Sequence, residues 1–236
     1  MRATEFEFRR RFWIIAAIFF LGFVLFQSDV GVITTVRHLV APGAPAGPQA
    51  VLATRCVIGF GALLLFAAAW LRTWSTAYLR TDVVHDSSQH SDALLADGPF
   101  RYVRNPLYIG NVLMAVGIGL LASWPGFVLI VVGNWLFVYR LIFREEAALR
   151  VTQGESYRAY CRAVPRFWPA LKPRVPSGEV TPRWSQAFIG EAFVWLFALT
   201  ELWLALTLNG KSVAIGFGLG FLAYFIVLAR IRRKAA

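Results

Sequence analysis

Six apolar segments alternate with polar stretches along the chain. They cover residues 12–26, 51–71, 106–124, 127–143, 187–208 and 213–229. An α-helix rises about 1.5 Å per residue and the hydrocarbon core of a bilayer is about 30 Å thick, so the first and fourth segments must extend by a turn to span it. Turn residues at 123–126 and 209–211 predict that the third segment pairs with the fourth and the fifth with the sixth. The pattern predicts an all-α polytopic helical membrane protein with about six transmembrane helices.

Composition agrees with this fold class, and the distribution of charge predicts an orientation. The 236 residues are 58% hydrophobic and 16% charged, which is typical of membrane proteins rather than soluble domains. If both termini are cytoplasmic, all of the 24 lysines and arginines except Arg37, Arg55 and Lys211 lie on that side. This is the asymmetry of the positive-inside rule. The net charge of +11 therefore reflects topology, and we expect no nucleic-acid partner.

The first cytoplasmic stretch of interest is residues 98–110, GPFRYVRNPLYIG. Pro106 suits the first turn of a helix, and it pushes Asn105 towards an extended backbone. Aromatic residues and two arginines therefore collect at the entry to an apolar helix. One interpretation is a binding site. The other is an interfacial belt of aromatic side chains and arginines.

The second stretch is residues 140–169. With no helix breaker before residue 152, one helix from residue 127 would be about 39 Å long and would protrude from the bilayer. Glu145 and Glu146 then lie near the inner interface, about 100° apart around the helix. We assign Glu145 to the inner face and Glu146 to the outer face. The alternative is a solvated helix with Glu–Arg pairs, such as Glu146 with Arg150.

An ordered set of motifs runs through these two stretches. It consists of Arg104-Asn105-Pro106-Leu107-Tyr108, then Glu145-Glu146, then Gly154, Tyr157 and Tyr160 in a short amphipathic helix, then Val164-Pro165-Arg166. Over residues 82–169 this order resembles the isoprenylcysteine carboxyl methyltransferase family and its phospholipid methyltransferase relatives. Residues 1–81 would then form an N-terminal two-span region, 82–172 the methyltransferase core, 173–184 a linker, and 185–236 a C-terminal transmembrane hairpin.

The resemblance implies an enzyme that transfers a methyl group from S-adenosyl-L-methionine at the cytoplasmic face. The cofactor-binding residues that it implies are His85, Asp92, Ala93, Leu94, Leu95, Phe100, Asn105, Pro106, Leu107, Tyr108 and Glu145. The family's substrate-contacting arginine corresponds to Leu141, so Arg140 or Arg144 would replace it, with Tyr108 as a third catalytic candidate. Eukaryotic carboxyl methyltransferases have histidine where this chain has Asn105.

The expected partners are the lipid bilayer and an amphiphilic acceptor, either a small molecule or a prenylated one, that enters laterally. The spacing of histidines and cysteines predicts no metal site and no disulfide. Alternatives are a phospholipid amine or thiol methyltransferase, a sterol-reductase-like NADPH enzyme, and a non-catalytic membrane module. The sequence contains no glycine-rich phosphate-binding loop that would favour the NADPH enzyme. Arg55 and Glu201 fall at similar depths in the outer half of the membrane, and we hypothesise that they form a pair.

Overall fold

The computed structural model describes residues 2–44, 46–79 and 96–235. Within these ranges it is helical, with one isolated β-bridge between Gly31 and Ser123 and no β-strand. The helices are α1 (Glu5–Arg9), α2 (Arg11–Val24), α3 (Val32–Val40), α4 (Pro48–Tyr78), α5 (Pro106–Gly119), α6 (Trp124–Thr152), α7 (Gly154–Ala163), α8 (Trp184–Gly190), α9 (Ala192–Thr207) and α10 (Lys211–Ala235), with 3₁₀ turns at Ser28–Val30 and Gly98–Arg101. The predicted all-α class is confirmed.

All six apolar segments form helices, but these helices differ in length. Among the described residues, α4, α6 and the Val213–Arg230 part of α10 are long and apolar enough to cross a membrane. Helices α8 and α9 provide a fourth candidate span, bent by 62° at their junction. Helices α2 and α5 are apolar but have only 14 residues each, which is about 21 Å. The structure therefore contains three to four candidate spans by length and composition.

Helix α4 is the central element of the bundle. It packs against α5 on one side and α9 on another, while α9 also contacts α10, and α6 contacts both α5 and α2. Apolar side chains fill the centre, including Leu65, Ala68, Met114 and Val194. The α5–α6 and α9–α10 pairs are the two hairpins predicted from the turn residues. The α9–α10 turn contains Leu208 in the left-handed conformation, with φ 54°.

Helices α2 and α6 approach each other closely because glycines face each other at the contact. A Cβ atom at Gly126 would overlap the carbonyl group of Gly22, and one at Gly22 would overlap the side chain of Ile130. Small residues at such crossings let two backbones approach closely in apolar surroundings. This contact anchors α2 to α6, the helix that carries Glu145 and Glu146.

Helix α1 was not predicted from the sequence because it has only five residues. A capping box starts it: the N–H of Glu7 donates to Thr4 Oγ1 (3.2 Å), and the N–H of Thr4 donates to Glu7 Oε2 (2.6 Å). The N–H of the buried residue Ala3 donates to the carbonyl of Arg140 at 3.0 Å. The N-terminal segment is therefore fastened to the polar end of α6.

An extended segment, residues 173–183, connects the polar region to α8 and lies against the start of the first motif. The buried carboxylate of Asp97 accepts hydrogen bonds from Ser177 Oγ (2.8 Å) and from the N–H groups of Gly178 (2.8 Å) and Val180 (2.9 Å). Burial alone would raise the pKa of Asp97, but these hydrogen bonds lower it below its usual value. The N–H of Arg174 also donates to the Arg101 carbonyl at 2.8 Å.

The predicted Arg55–Glu201 pair is wrong. Glu201 is fully buried, and its carboxylate lies against Gly61 rather than Arg55. Neither carboxylate oxygen has a hydrogen-bond partner in the described part of the chain, and Arg55 is exposed. Gly61 is six residues beyond Arg55 on α4, which is about 9 Å along the helix axis. The predicted equal depth of Arg55 and Glu201 came from the span boundaries alone. Those boundaries contain neither this axial offset nor the identity of the α4 face that meets α9.

Candidate active site

The separate sequence motifs meet at one buried carboxylate, that of Glu146, which is 1% exposed. Arg166 binds both of its oxygens, with Nε at 3.0 Å from Oε1 and Nη2 at 2.9 Å from Oε2. Arg104 Nη1 lies 3.2 Å from Oε1, Asn105 Nδ2 donates to the same oxygen at 3.2 Å, and Arg150 approaches Oε2 at 3.4 Å. We call these five residues the Glu146 cluster.

The assignment of Glu146 to the outer face is therefore wrong. A carboxylate tolerates burial when it is paired and hydrogen-bonded, and the Glu146 cluster provides those partners. The alternative Glu146–Arg150 pair is present at 3.4 Å, but it is the longest of the contacts with arginine. Glu146 joins the first motif to the last one, because Arg104 and Asn105 come from one and Arg166 from the other.

Backbone contacts hold the same two motifs together. Pro106 occupies the first turn of α5 as predicted, and Asn105 has φ −126° with no side-chain cap on the helix. Instead, Asn105 Nδ2 donates to the carbonyl of Arg166 at 3.0 Å. The N–H of Arg104 donates to the carbonyl of Pro165 at 2.9 Å. The Asn-Pro step therefore contributes a side-chain clamp and a helix start at once.

Helix α7 contributes two buried tyrosines to this region. Gly154, with φ +56°, ends α6 and starts α7, as the sequence predicted. Tyr157 and Tyr160 pack with Val164, and the hydroxyl of Tyr160 donates to the carbonyl of Phe100 at 2.7 Å. Burial raises the pKa of both tyrosines, so they remain neutral hydrogen-bond donors. Through Tyr160, helix α7 is bonded directly to the first motif.

Glu145 lies on the other side of α6 and has a different environment. Tyr108 in α5 donates its hydroxyl proton to Glu145 Oε1 at 2.8 Å. Both side chains are half-buried, and both line a cavity of about 2250 Å³. Whereas Glu146 is surrounded by protein groups, Glu145 faces open space.

This cavity has a polar end and an apolar limb. The six predicted cofactor residues within the described ranges all line it: Phe100, Asn105, Pro106, Leu107, Tyr108 and Glu145. The other five, His85, Asp92, Ala93, Leu94 and Leu95, lie outside the described residues. The apolar limb is lined by side chains from α2, α9 and α10, such as Phe19, Phe197, Phe217 and Phe221.

The two arginines proposed to contact the acceptor are already paired with glutamates of α1. Arg140 Nη2 donates to both oxygens of Glu7, at 2.8 and 2.7 Å. The N–H of Thr4 and the guanidinium of Arg140 lower the pKa of Glu7 to about 2. Arg144 pairs with Glu5 and donates to the carbonyl of Ala3 at 3.2 Å. Arg144 lines the cavity, whereas Arg140 is not among its lining residues.

A second polar group in the cavity wall was missed by sequence reasoning. Arg72 in α4 binds Glu191 at 2.7 Å and Asn111, and Thr76 donates to Glu191 at 2.9 Å. Glu191 lies at the bend between α8 and α9. The available signal was polar side chains inside or beside apolar segments, since such residues usually pair or have a function. Arg72 and Thr76, one turn apart, followed that pattern.

Comparison with known proteins supports the resemblance drawn from the motifs. Residues 56–155 match the model of the phospholipid methyltransferase family. The protein-S-isoprenylcysteine O-methyltransferase of Schizosaccharomyces pombe is 36% identical over 87 residues, which is 36% of this chain and 37% of that protein. The family resemblance is confirmed over this central region.

Two bacterial relatives match a similar length. The cobalt-zinc-cadmium resistance protein CzcN of Cupriavidus metallidurans is 24% identical over 100 residues, 42% of this chain and 43% of that protein. The nickel-cobalt-cadmium resistance protein NccN of Alcaligenes xylosoxydans xylosoxydans is 27% identical over 100 residues, 42% and 44% respectively. The chain thus spans about two fifths of the length of the curated relatives it matches. No solved structure matches it.

Proposed function

We propose that the protein is an integral-membrane methyltransferase that uses S-adenosyl-L-methionine and methylates an amphiphilic acceptor. The observation that carries this proposal is the cavity: its polar end is lined by Tyr108, Glu145 and other motif residues such as Asn105, and its apolar limb continues between α2 and α10. The match of residues 56–155 to the phospholipid methyltransferase family supports the same activity.

The residues at the polar end suit the cofactor's chemistry. Bound S-adenosyl-L-methionine supplies an electrophilic methyl group on a sulfonium. The carboxylate of Glu145 suits its ammonium group, because charge-assisted hydrogen bonds are the strong ones. The ring of Phe100 or Tyr108 offers an aromatic face to a cation or to adenine. Tyr108, through its bond to Glu145, fixes the orientation of that carboxylate.

Methyl transfer to a good nucleophile depends mainly on alignment and exclusion of water. In this proposal the Glu146 cluster holds α5, α6 and the segment after α7 in register, so the cavity wall keeps its shape. A thiolate or carboxylate acceptor needs no general base. An amine acceptor, as in a phospholipid amine methyltransferase, would need to arrive unprotonated.

The apolar limb supports an acceptor with a long hydrocarbon tail. Apolar pockets favour ligands that bring apolar surface out of water. We infer that the acceptor enters from the bilayer, with its tail between α2 and α10 and its reactive end near Tyr108. In this arrangement the six apolar helices are membrane-embedded, both termini are cytoplasmic, and the polar end of the cavity faces the cytoplasm.

Isothermal titration of detergent-purified protein with S-adenosylhomocysteine and, separately, with NADPH tests the proposed activity. Binding of S-adenosylhomocysteine alone is the expected result. NADPH binding would favour the sterol-reductase-like alternative, and binding of neither would favour a non-catalytic module. Labelled methyl transfer to a farnesyl-cysteine analogue, a phosphatidylethanolamine and a short soluble thiol then identifies the acceptor class. Turnover of the soluble thiol alone would refute entry from the bilayer.

A further inference from the structure

Most arginines around the polar end of the cavity have a carboxylate partner. Arg72 is bound to Glu191, Arg104 to Glu146, and Arg144 to Glu5. Their charges are largely neutralised by the protein itself. A ligand anion would have to displace a glutamate to use any of them fully.

Arg11 differs from these residues. It is the first residue of α2, it is half-buried, and it lines the cavity. Its Nη1 donates to the carbonyl of Phe8 at 3.1 Å, and its guanidinium lies 4.6 Å from the centre of the Phe8 ring. Within residues 2–44, 46–79 and 96–235 no carboxylate lies within 4.0 Å of it.

The position of Arg11 relates it to both parts of the cavity. It is close enough to act electrostatically on the Glu145 carboxylate and on the Tyr108 hydroxyl, without bonding directly to either. The next turns of the same helix, with Phe12, Ile15 and Phe19, line the cavity as well. Arg11 therefore lies at the junction between the polar end and the apolar limb. No carboxylate in the described part of the chain is bonded directly to Arg11, so a bound anion would give this partly buried cation a charge-assisted hydrogen bond that the protein does not provide.

We propose that Arg11 binds the anionic head group, a carboxylate or phosphate, of the amphiphilic acceptor. This inference rests on the proposed methyltransferase function and gives its acceptor a charge. The acceptor is favoured over the cofactor's own carboxylate because Arg11 borders the apolar limb, where a tail would lie. Glu145 and Arg11 then divide the work, one facing a cation and the other an anion. Arg11 acts here as a specificity-determining residue.

Matched pairs of probes test the role of Arg11. N-acetyl-S-farnesylcysteine and its carboxamide share one tail and differ in charge, and farnesyl phosphate with farnesol forms a second pair. Affinities are measured in detergent, with S-adenosylhomocysteine present, for the wild type, Arg11→Gln and Arg11→Lys. Arg10→Gln is the control, since Arg10 is the exposed neighbour and is not among the cavity-lining residues.

The wild type and Arg10→Gln should bind the anionic member of at least one pair about tenfold more tightly than its neutral member, the scale of one charge-assisted contact. Arg11→Gln should lose that preference, and Arg11→Lys should keep part of it. Retained preference in Arg11→Gln, or a wild type that distinguishes neither pair, would overturn the proposal.

The affinity for S-adenosylhomocysteine, measured in the same variants, shows whether Arg11 binds the acceptor's anionic head group or the cofactor's own carboxylate. Arg11→Gln should leave it within about twofold of the wild type. A tenfold loss would assign Arg11 to the cofactor's carboxylate and overturn the acceptor proposal. Failure of the wild type to bind S-adenosylhomocysteine at all would instead count against the proposed function, so the two failures are distinguishable.

Discussion

Glu145 and Glu146 are adjacent on α6, yet they belong to two regions with opposite properties. Glu146 borders the same cavity, but its side chain is 1% exposed and its carboxylate is already held by three arginines and Asn105. Glu145 has the Tyr108 hydroxyl as its hydrogen-bond partner and faces the cavity. One step of about 100° around the helix separates a carboxylate that holds the fold from one that is available to a ligand.

The difference has an energetic meaning. A buried carboxylate with many partners is costly to alter, because its partners lose their counter-charge inside the protein. A carboxylate facing a cavity exchanges water for ligand, so its replacement changes binding more than stability. Substitution of Glu146 should therefore lower mainly the stability of the protein, and substitution of Glu145 should lower mainly the affinity for the cofactor.

The largest effect is expected from Glu146→Gln. This change leaves Arg104, whose side chain is 9% exposed, without its carboxylate. We expect the free energy of unfolding to fall by about 3–5 kcal/mol, the scale for breaking a buried pair. The measurement is the melting temperature in detergent. Glu155→Gln is the control, because Glu155 pairs with Arg158 and Arg162 at the surface, where such pairs contribute little. Equal melting temperatures for the two variants would contradict the structural role of Glu146.

The next largest effect is expected from Glu145→Gln, and it concerns binding. S-adenosylhomocysteine affinity should fall by about 1–3 kcal/mol, the scale for losing a hydrogen bond to a charged group. The melting temperature should change little, because the amide can still accept the proton of Tyr108. Tyr108→Phe should give a smaller loss of affinity, since it removes only the group that orients Glu145. A variant of Glu145 that loses stability but not affinity would reverse the comparison.

The sequence predicted which stretches meet, but not which glutamate faces which side. Motif order and the Asn-Pro step identified the entry to α5, and Gly154 marked the end of α6. Around Glu145 and Glu146, helix α6 mixes charged and apolar residues, so its pattern does not define which glutamate faces inward. The inner face is set instead by Arg104 and Arg166, which are far away in sequence.

Contacts between residues far apart in sequence also explain why the pairing of Arg140 and Arg144 was not predicted. Arg140 and Arg144 look free in the sequence, because their partners Glu7 and Glu5 are more than 130 residues away. Those partners lie in the five-residue helix α1, which is too short to be predicted from a periodic pattern. Nothing in the sequence distinguishes Arg11 from its neighbour Arg10. Only the packing of α2 against α6 separates the two.

Glu201 differs from both glutamates of α6, because it is fully buried and has no hydrogen-bond partner for its carboxylate in the described chain. Burying an unsatisfied polar group destabilises a protein, so Glu201→Leu should leave the melting temperature unchanged or raise stability by about 1 kcal/mol. Glu146→Gln, by contrast, is expected to lower stability. A fall in melting temperature as large as that of Glu146→Gln would show that burial alone, rather than the set of partners, determines the cost.

The smallest effect is expected at Glu7, whose carboxylate fastens α1 beside the same end of α6. Its pKa is lowered from 4.5 to about 2, because it accepts hydrogen bonds from the Thr4 N–H and from Arg140. A carboxyl group whose pKa is lower in the folded state stabilises it above its unfolded pKa. That stabilisation is lost as the pH falls from about 4.5 towards 2.

Hydrogen exchange of residues 3–9, corrected for the intrinsic rate, should show a modest loss of protection between pH 5.5 and pH 3. Glu7→Gln should have the lower protection already at pH 5.5 and a smaller further loss on acidification. The remaining loss comes from Glu5, whose pKa is also lowered by Arg9 and Arg144. Since Glu145 and Glu146 are held by other contacts, S-adenosylhomocysteine affinity at pH 7 should be the same in Glu7→Gln and the wild type. A loss of affinity there would mean that α1 forms part of the cofactor site and that the two regions compared here are coupled.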